Sequence, residues 1–260
     1  MDIENKVIIV TGASAGIGQA VAEALALASA NVVLVARREE RLQLLAEQME
    51  RLPGKRLVVA GDIRSEAFAP QVIERSLSAF GRVDVLVNNA GLGHRSMIAE
   101  MPPEDMRTII ETNILGLLFM TQAALQPMRE QRAGQIINVS SIAGQRPLPN
   151  GALYPASKTA VNFISRSLRI EGKPYNIKVT TIYPGLTKTE FGHVRLGEKG
   201  INRFGIEGVP AERVAAKIVQ AIRNGRSEVY VTWYDWLFVH LNRLFPRTTD
   251  WIIARGAHLA

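Results

Sequence analysis

Short apolar runs alternate along the chain with longer stretches in which apolar residues recur every three or four positions. Val7–Val10, Asn31–Ala36, Leu57–Ala60, Asp84–Val87, Ile136–Val139, Ile177–Tyr183 and Glu228–Val231 are too short for helices and rich in β-branched residues. Their apolar character is largely continuous, as expected of parallel strands buried on both faces. The stretches between them, through 20–30, 39–52, 65–80, 104–129, 160–170 and 210–223, carry helical spacing. Ser65 is the expected N-cap of the third. Alternation of strand and helix, with no repeat and no linker, predicts an α/β fold: a single doubly wound domain over 1–260 with seven strands in one parallel sheet flanked by helices. Its core is expected over about 5–232, followed by an apolar helical tail over about 233–260.

The tail is the least ordinary stretch, because it holds all three tryptophans, Trp233, Trp236 and Trp251. At helical spacing Trp233, Tyr234, Leu237, Phe238, Leu241, Leu244 and Phe245 share one broad face. Asp235, Asn242 and Arg243 lie opposite, while Trp236 and Val239 break the pattern. Pro246 is expected to stop this helix, with Thr248-Thr249-Asp250 capping a second through Trp251-Ile252-Ile253 and Arg255. Three readings stay open: the tail packs on its own domain or a subunit contact, lies peripherally on a membrane, or admits a lipid-like substrate.

Composition narrows the function classes. A hydrophobic share of 47% and a charged share of 21% are those of a soluble globular protein. No apolar run reaches the ~18 residues that would span a bilayer. The polar start, Met1–Lys6, runs straight into a strand, so no signal peptide is expected. With no cysteine, disulfides and thiolate chemistry are excluded. A cytoplasmic location fits, with a membrane-peripheral one through the tail as the variant. His94, His193, His240 and His258 are scattered, so no metal site is expected. The net charge of +7 suits nucleic acid, an anionic membrane or a phosphate-bearing ligand. No Lys/Arg-rich block or helix-turn-helix pattern accompanies it, so nucleic acid is not expected.

Candidate chemistry begins at Thr11-Gly12-Ala13-Ser14-Ala15-Gly16-Ile17-Gly18, between the first strand and the first helix. Strand, glycine turn and helix in that order form a Rossmann-type dinucleotide-binding unit. The glycines let backbone approach a pyrophosphate and the helix N-terminus supplies donors. The end of the second strand decides the cofactor: an acid there bonds a ribose 2′-hydroxyl, an arginine a 2′-phosphate. Here Ala36-Arg37-Arg38 replaces the acid, which favours NADP(H) over NAD(H) unless both arginines merely begin the next helix. Asp62, at the tip of the third strand beside Ile63, is placed to accept from an adenine amino group. Asn88-Asn89-Ala90-Gly91 ends the fourth strand and suits close packing against a ligand or a turn. Asn113 sits inside an apolar helical stretch where Asn is unfavourable. A satisfied core amide, or a kink holding a water, would each explain it. The polar loop from Thr189 to about Gly208 has the character of a lid over a site.

Tyr154 and Lys158, four residues apart, fall on one helix face, one turn above the other. An ammonium near a phenol favours the phenolate and is expected to pull the Tyr154 pKa down from roughly 10, toward the range where general acid–base catalysis works. Ser141, just past the fifth strand, is placed to hydrogen-bond the same substrate oxygen.

Together, T-G-A-S-A-G-I-G at Thr11–Gly18, N-N-A-G at Asn88–Gly91, Asn113, Ser141, Y-P-A-S-K at Tyr154–Lys158 and P-G-L-T-K-T at Pro184–Thr189 resemble the single-domain branch of the short-chain dehydrogenase/reductase family. The resemblance covers roughly residues 5 to 232. It implies Tyr154 as proton donor or acceptor, Ser141 holding the substrate oxygen, Lys158 on the nicotinamide ribose, and Asn113 anchoring a water that relays protons to Lys158. It implies cofactor contacts from Gly12, Ser14, Gly16, Ile17, Gly18, Arg37, Arg38, Asp62, Ile63, Asn89, Ala90, Gly91, Tyr154, Lys158, Pro184, Gly185, Thr187 and Thr189, the last at the carboxamide. Ser140 neighbours Ser141, but the thirteen-residue step to the tyrosine matches Ser141. Two positions depart from common patterns: Ala15 replaces a basic residue sometimes seen in the glycine turn, and Thr187 replaces an aliphatic one.

The expected activity is hydride transfer between NADP(H) and a small-molecule carbonyl or secondary alcohol, in a homodimer or homotetramer by the resemblance. A β-ketoacyl carrier reductase is the specific alternative. A lyase or epimerase is disfavoured by the three-residue gap between Gly12 and Gly16 and by the lack of a large C-terminal substrate domain. A nucleotide-binding regulatory protein is disfavoured by the intact Asn113, Ser141, Tyr154 and Lys158.

Overall fold

A computed structural model describes residues 1–146, 150–198 and 207–256. Its main sheet has β1 (Val7–Thr11), β2 (Asn31–Ala36), β3 (Arg56–Ala60), β4 (Val85–Asn88), β5 (Gly134–Val139), β6 (Ile177–Tyr183) and β7 (Glu228–Tyr230). All seven are parallel, in the spatial order β3-β2-β1-β4-β5-β6-β7.

Side chains of a strand alternate between faces, and here both faces are covered. Ile8, Val10, Val32, Leu34, Val85 and Val87 join one apolar cluster with Val21, Leu25, Val214 and Ile218. Those helical residues belong to α1 (Gly16–Leu27) and α7 (Ala211–Asn224). Val7, Ile9, Val33, Val35 and Leu86 join the other, with Val72, Met120, Ala124, Met128 and Leu168. These come from α3 (Phe68–Phe80), α5 (Gly116–Gln131) and α6 (Leu153–Glu171). Before the tail lie also α2 (Glu39–Gln48), α4 (Pro103–Ile110) and a single helical turn at Phe191–Val194.

The expected helix over 104–129 is continuous but changes pitch. A π-helical turn, Glu111–Leu115, joins α4 to α5 and carries Asn113. By length and composition Pro103–Glu130 would suffice to cross a bilayer, but Met120, Ala124 and Met128 pack on the sheet. Ser65 does not cap α3: its carbonyl accepts from the Phe68 amide in a tight turn, and the helix begins at Phe68. A polar seam crosses the sheet centre. Asn88 Nδ2 donates to Thr121 Oγ1 and to Asn138 Oδ1, each at 2.9 Å, and Asn138 Nδ2 donates to Ser165 Oγ at 2.9 Å.

The tail forms α8 (Trp233–Leu244) and α9 (Pro246–Gly256). The Thr232 side chain caps α8, accepting from the Asp235 amide at 3.2 Å. Pro246 ends the first helix as expected but is itself the first residue of the second, so Thr248-Thr249-Asp250 lie within its opening turns instead of capping it. The helix is turned opposite to ordinary amphipathic packing. Asp235 and Val239 are buried, while Trp233, Tyr234, Leu237, Phe238, Leu241, Leu244 and Phe245 are exposed. Of the segment anticipated as a lid, 199–206 lies outside the described residues, as do 147–149 and 257–260.

Candidate active site

Because every strand is parallel, the ends of β1, β4, β5 and β6 bring the glycine turn, Asn88–Gly91, Ser141 and Pro184-Gly185 to one edge of the sheet, where open α/β folds bind ligands. Gly12 has φ +67°, and a Cβ there would stand 2.9 Å from the Ala90 Cα. At Gly18 a Cβ would meet the Gly12 oxygen at 2.2 Å, so the first turn of α1 closes tightly on the loop. The α1 N-terminus carries no side-chain cap, which leaves its first amides suited to an anion.

Thr11 clips this turn to the end of β4. Its Oγ1 accepts from the amides of Asn89 and Ala90 at 3.0 and 3.1 Å. The Asn89 side chain donates back to the carbonyls of Thr11 (3.0 Å) and Gly12 (3.3 Å). Thr189 packs against Gly16 from across the cleft. Ile63 is buried and packs on Gly116, so its side chain belongs to the core.

The two arginines after β2 diverge. Arg38 donates to Ser14 Oγ at 3.1 and 3.2 Å and to Glu190 at 2.6 Å. Arg41, one turn further on, donates to the other Glu190 oxygen at 2.8 Å. These hydrogen bonds, from Arg41 and Arg38, hold the Glu190 carboxyl below its usual range. Arg37 acts on Asp62 instead. Burial alone would raise the Asp62 carboxyl, but hydrogen bonds from Arg64 and the charges of Arg64 and Arg37 outweigh it and lower it.

Ser141 lies two residues beyond β5 and caps a 3₁₀ turn, accepting from the Ala143 amide at 3.1 Å. Its hydroxyl donates to the Pro184 carbonyl at 3.5 Å and lies close enough to the Tyr154 hydroxyl to favour its ionised form. Ser140 points elsewhere, donating to Asn162 Oδ1 at 2.6 Å in a buried cluster. Lys158 is buried; its ammonium donates to the Val139 carbonyl at 2.8 Å and lies 6.0 Å from the Tyr154 ring centroid. Gly91 adjoins both the Lys158 ammonium and the Asn113 amide. The Phe191 ring packs on Tyr154 at 5.6 Å between centroids.

The expected lowering of the Tyr154 pKa does not occur in this state. Burial of the hydroxyl pushes it up to about 12, against a smaller opposing pull from Ser141, although the residue as a whole keeps some solvent exposure. Burial also lowers Lys158 to about 8. Two buried groups without an anionic partner each favour their neutral forms.

Asn113 is a satisfied core amide, the first of the two readings anticipated for it, and it sits within a π-helical turn. Its Oδ1 accepts from the Leu92 amide at 2.7 Å, and its Nδ2 donates to the Leu92 carbonyl and Ser157 Oγ, each at 2.9 Å. Ser157 Oγ in turn donates to the Tyr154 carbonyl at 2.7 Å. The amide thus ties the loop following Gly91 to the helix carrying Tyr154.

Thr11, Arg41, Ser157, Glu190 and Arg146 are the residues that motif reading passed over. Arg41 had a signal, since it lies one turn beyond Arg38 on a helix. Glu190 had none, because its partners are some 150 residues away in sequence. Arg146 is buried at 3% exposure; it donates to Asn242 Oδ1 and to Asp250 at 3.3 Å, joining the Ser141 loop to the tail. At the other end of α8, on the same inward face, the Asp235 carboxylate stands directly against Gly185.

A parallel sheet whose carboxyl edge gathers an uncapped helix N-terminus, a glycine turn and a buried Tyr–Lys pair defines a nucleotide-binding α/β fold of Rossmann type. Within that class, the family described as short chain dehydrogenase matches residues 6–198. An uncharacterized oxidoreductase of Listeria innocua is 35% identical over 228 residues, 85% of this chain and 92% of that protein. The chain belongs to the short-chain dehydrogenase family and is an oxidoreductase of it. Among solved structures, an alcohol dehydrogenase from the archaeon Thermococcus sibiricus complexed with 5-hydroxy-NADP aligns with TM-score 0.78 at 27% identity, covering 86% of this chain and 95% of that one. A 3-ketoacyl-(acyl-carrier-protein) reductase from Brucella melitensis complexed with NADH aligns with TM-score 0.80 at 30% identity, covering 88% and 97%.

Proposed function

We propose that this chain interconverts a carbonyl and a secondary alcohol with NADP(H), Tyr154 acting as general acid/base. The observation that carries this reading is the meeting of Ser141, Tyr154 and Lys158 beside Gly91, at the same sheet edge as the glycine turn. The turn fits a dinucleotide because side chains at Gly12 or Gly18 would fill the space through which a pyrophosphate approaches backbone. Gly12, Gly16, Ile17 and Gly18 would hold that group. Ser14, Arg37 and Arg38 would receive a 2′-phosphate, and Asp62 and Ile63 would border the adenine. Asn89, Ala90, Gly91, Tyr154 and Lys158 would flank the riboses, and Pro184, Gly185, Thr187 and Thr189 the nicotinamide. When bound, the nucleotide supplies or accepts the hydride.

The protein's own part is orientation and proton transfer. In reduction the Tyr154 hydroxyl, protonated at neutral pH, donates to the substrate oxygen as negative charge develops there. Ser141 donates a second hydrogen bond to the same oxygen, in exchange for its long bond to the Pro184 carbonyl. Lys158, held by the Val139 carbonyl, keeps a positive charge close enough to stabilise the phenolate left behind. Asn113 positions the Tyr154 helix through Ser157.

The preference for NADP(H) is supported by Arg38 and Ser14 in contact, with Arg37 and Arg41 close by and no acid at the end of β2. The Brucella reductase likeness favours a ketoacyl thioester as the second substrate class. Exposed Leu115, Leu118, Phe163 and Ile170 on the α5–α6 side suit a homodimer or homotetramer. A screen of NADPH consumption over ketones, aldehydes, diketones, steroids and ketoacyl thioesters, repeated with NADH, tests the reading. Tyr154→Phe is expected to abolish turnover while NADPH still binds; undiminished turnover in that variant overturns it.

A further inference from the structure

The geometry points to the outer face of α8 and α9 as a docking surface for an anionic lipid bilayer. In an amphipathic helix packed on its own protein, the apolar stripe faces inward. Here the inward positions of α8 are Asp235, Val239 and Asn242, and they are committed. Asp235 accepts from Thr232 Oγ1 at 2.6 Å, and Asn242 accepts from Arg146. The outward positions hold Trp233 at 73% exposure, Leu244 at 70% and Phe245 at 58%, with Tyr234, Leu237 and Leu241 between them. The second helix continues the surface with Trp251 and Ile252, exposed at 58% and 55%. A contiguous apolar surface of this kind is unstable in water unless something covers it.

Charge and residue type identify the cover. Arg243, Arg247 and Arg255 are exposed on these helices. Of the two aspartates between 233 and 256, Asp235 is buried, and Asp250 is exposed beside Arg146. With three exposed arginines against that one exposed carboxylate, the surface presented outward is aromatic, aliphatic and net cationic. Exposed tryptophan and tyrosine on helices that also expose arginines match the boundary between headgroups and acyl chains, and the arginines match anionic headgroups. Arg255 lies over the Trp251 ring at 4.5 Å, so that its charge stays at the edge of the apolar patch. A second copy of the chain is the weaker occupant, because paired faces would bring these arginines together, and Leu118, Phe163 and Ile170 offer another exposed apolar surface for it.

Full-length protein floated with vesicles of phosphatidylcholine, or of phosphatidylcholine mixed with phosphatidylserine, tests this. We expect co-flotation with the mixed vesicles and much less with the neutral ones. Trp233→Ser/Leu244→Ser/Trp251→Ser should weaken it strongly, and Arg247→Glu/Arg255→Glu by roughly tenfold or more. All substituted positions are exposed, so thermal midpoints should stay near that of the unmodified protein. Failure of the unmodified protein to float, or flotation of both variants equal to that of the unmodified protein, overturns the proposal. So does a dimer that the triple variant dissociates while no vesicle binding is seen, which would assign the face to a second copy.

Discussion

Arg38 already holds an anion: its guanidinium grips the Glu190 carboxylate at 2.6 Å while also touching Ser14. A 2′-phosphate bound there has to exchange with, or sit beside, that carboxylate. Glu190→Gln is therefore expected to tighten NADPH several-fold and leave NADH nearly unchanged. Arg38→Ala should weaken NADPH by roughly tenfold or more, the loss of a charge-assisted hydrogen bond. Binding titrations of both nucleotides with both variants measure this, and an equal response of NADPH and NADH would contradict it.

The buried guanidinium of Arg146 joins the Ser141 loop to the tail. Its pair with Asp250 is weak, since the Asp250 side chain is 72% exposed and screened by water, so the bond to Asn242 carries most of the effect. Arg146→Ala should cost about 1–3 kcal/mol, because a buried charge-assisted bond is lost. Chemical denaturation measures it, and a midpoint equal to that of the unmodified protein would refute it.

Lys158 gives a pH signature with a definite sign. Folding lowers its pKa from 10.5 to about 8, so the unfolded chain binds a proton in that window that the folded chain does not. Stability of the nucleotide-free protein should therefore rise with pH through the window and fall as pH drops through about 8. Above about pH 10 the raised Tyr154, at about 12, works the other way. Denaturation of wild type and Lys158→Met on either side of pH 8 tests this; parallel curves would count against it. In the reductive direction, kcat/KM should decline above about pH 8 as the ammonium is lost.

Gly18→Ala places a methyl 2.2 Å from the Gly12 carbonyl and 2.5 Å from the Asn89 amide. Backbone cannot yield there cheaply, so a loss of about 1–3 kcal/mol is expected, with weaker nucleotide binding. Thermal melts with and without NADPH separate the two effects.

Much of this architecture was legible because its signals are local. Continuous apolar runs marked all seven sheet strands, and glycines between a strand and a helix marked the turn. The Ser141, Tyr154 and Lys158 grouping followed from a helix period and a strand end. What the sequence concealed depends on packing between distant segments. The Thr11 clip, the Glu190 bridge and the Arg146 anchor each join residues at least 77 positions apart, which no spacing rule addresses. The pKa expectation for Tyr154 failed for a related reason: proximity to Lys158 could be read from a helix period, whereas depth of burial could not. For α8 the periodicity gave the apolar face correctly, yet not that this face would look outward.

The amide seam under the site has a consequence for how the strands assemble. Apolar parallel strands such as β4 and β5 could slide by two residues and keep every side chain on its proper face. Asn88 stands opposite Asn138 in the observed pairing, and the two amides bond directly. A slipped alignment would break that bond and leave the Asn138 carbonyl oxygen buried without its donor, at about 1–3 kcal/mol. The pair thus works as a key that admits a single register, and so sets the height at which Asn89 and Ser141 emerge from the sheet.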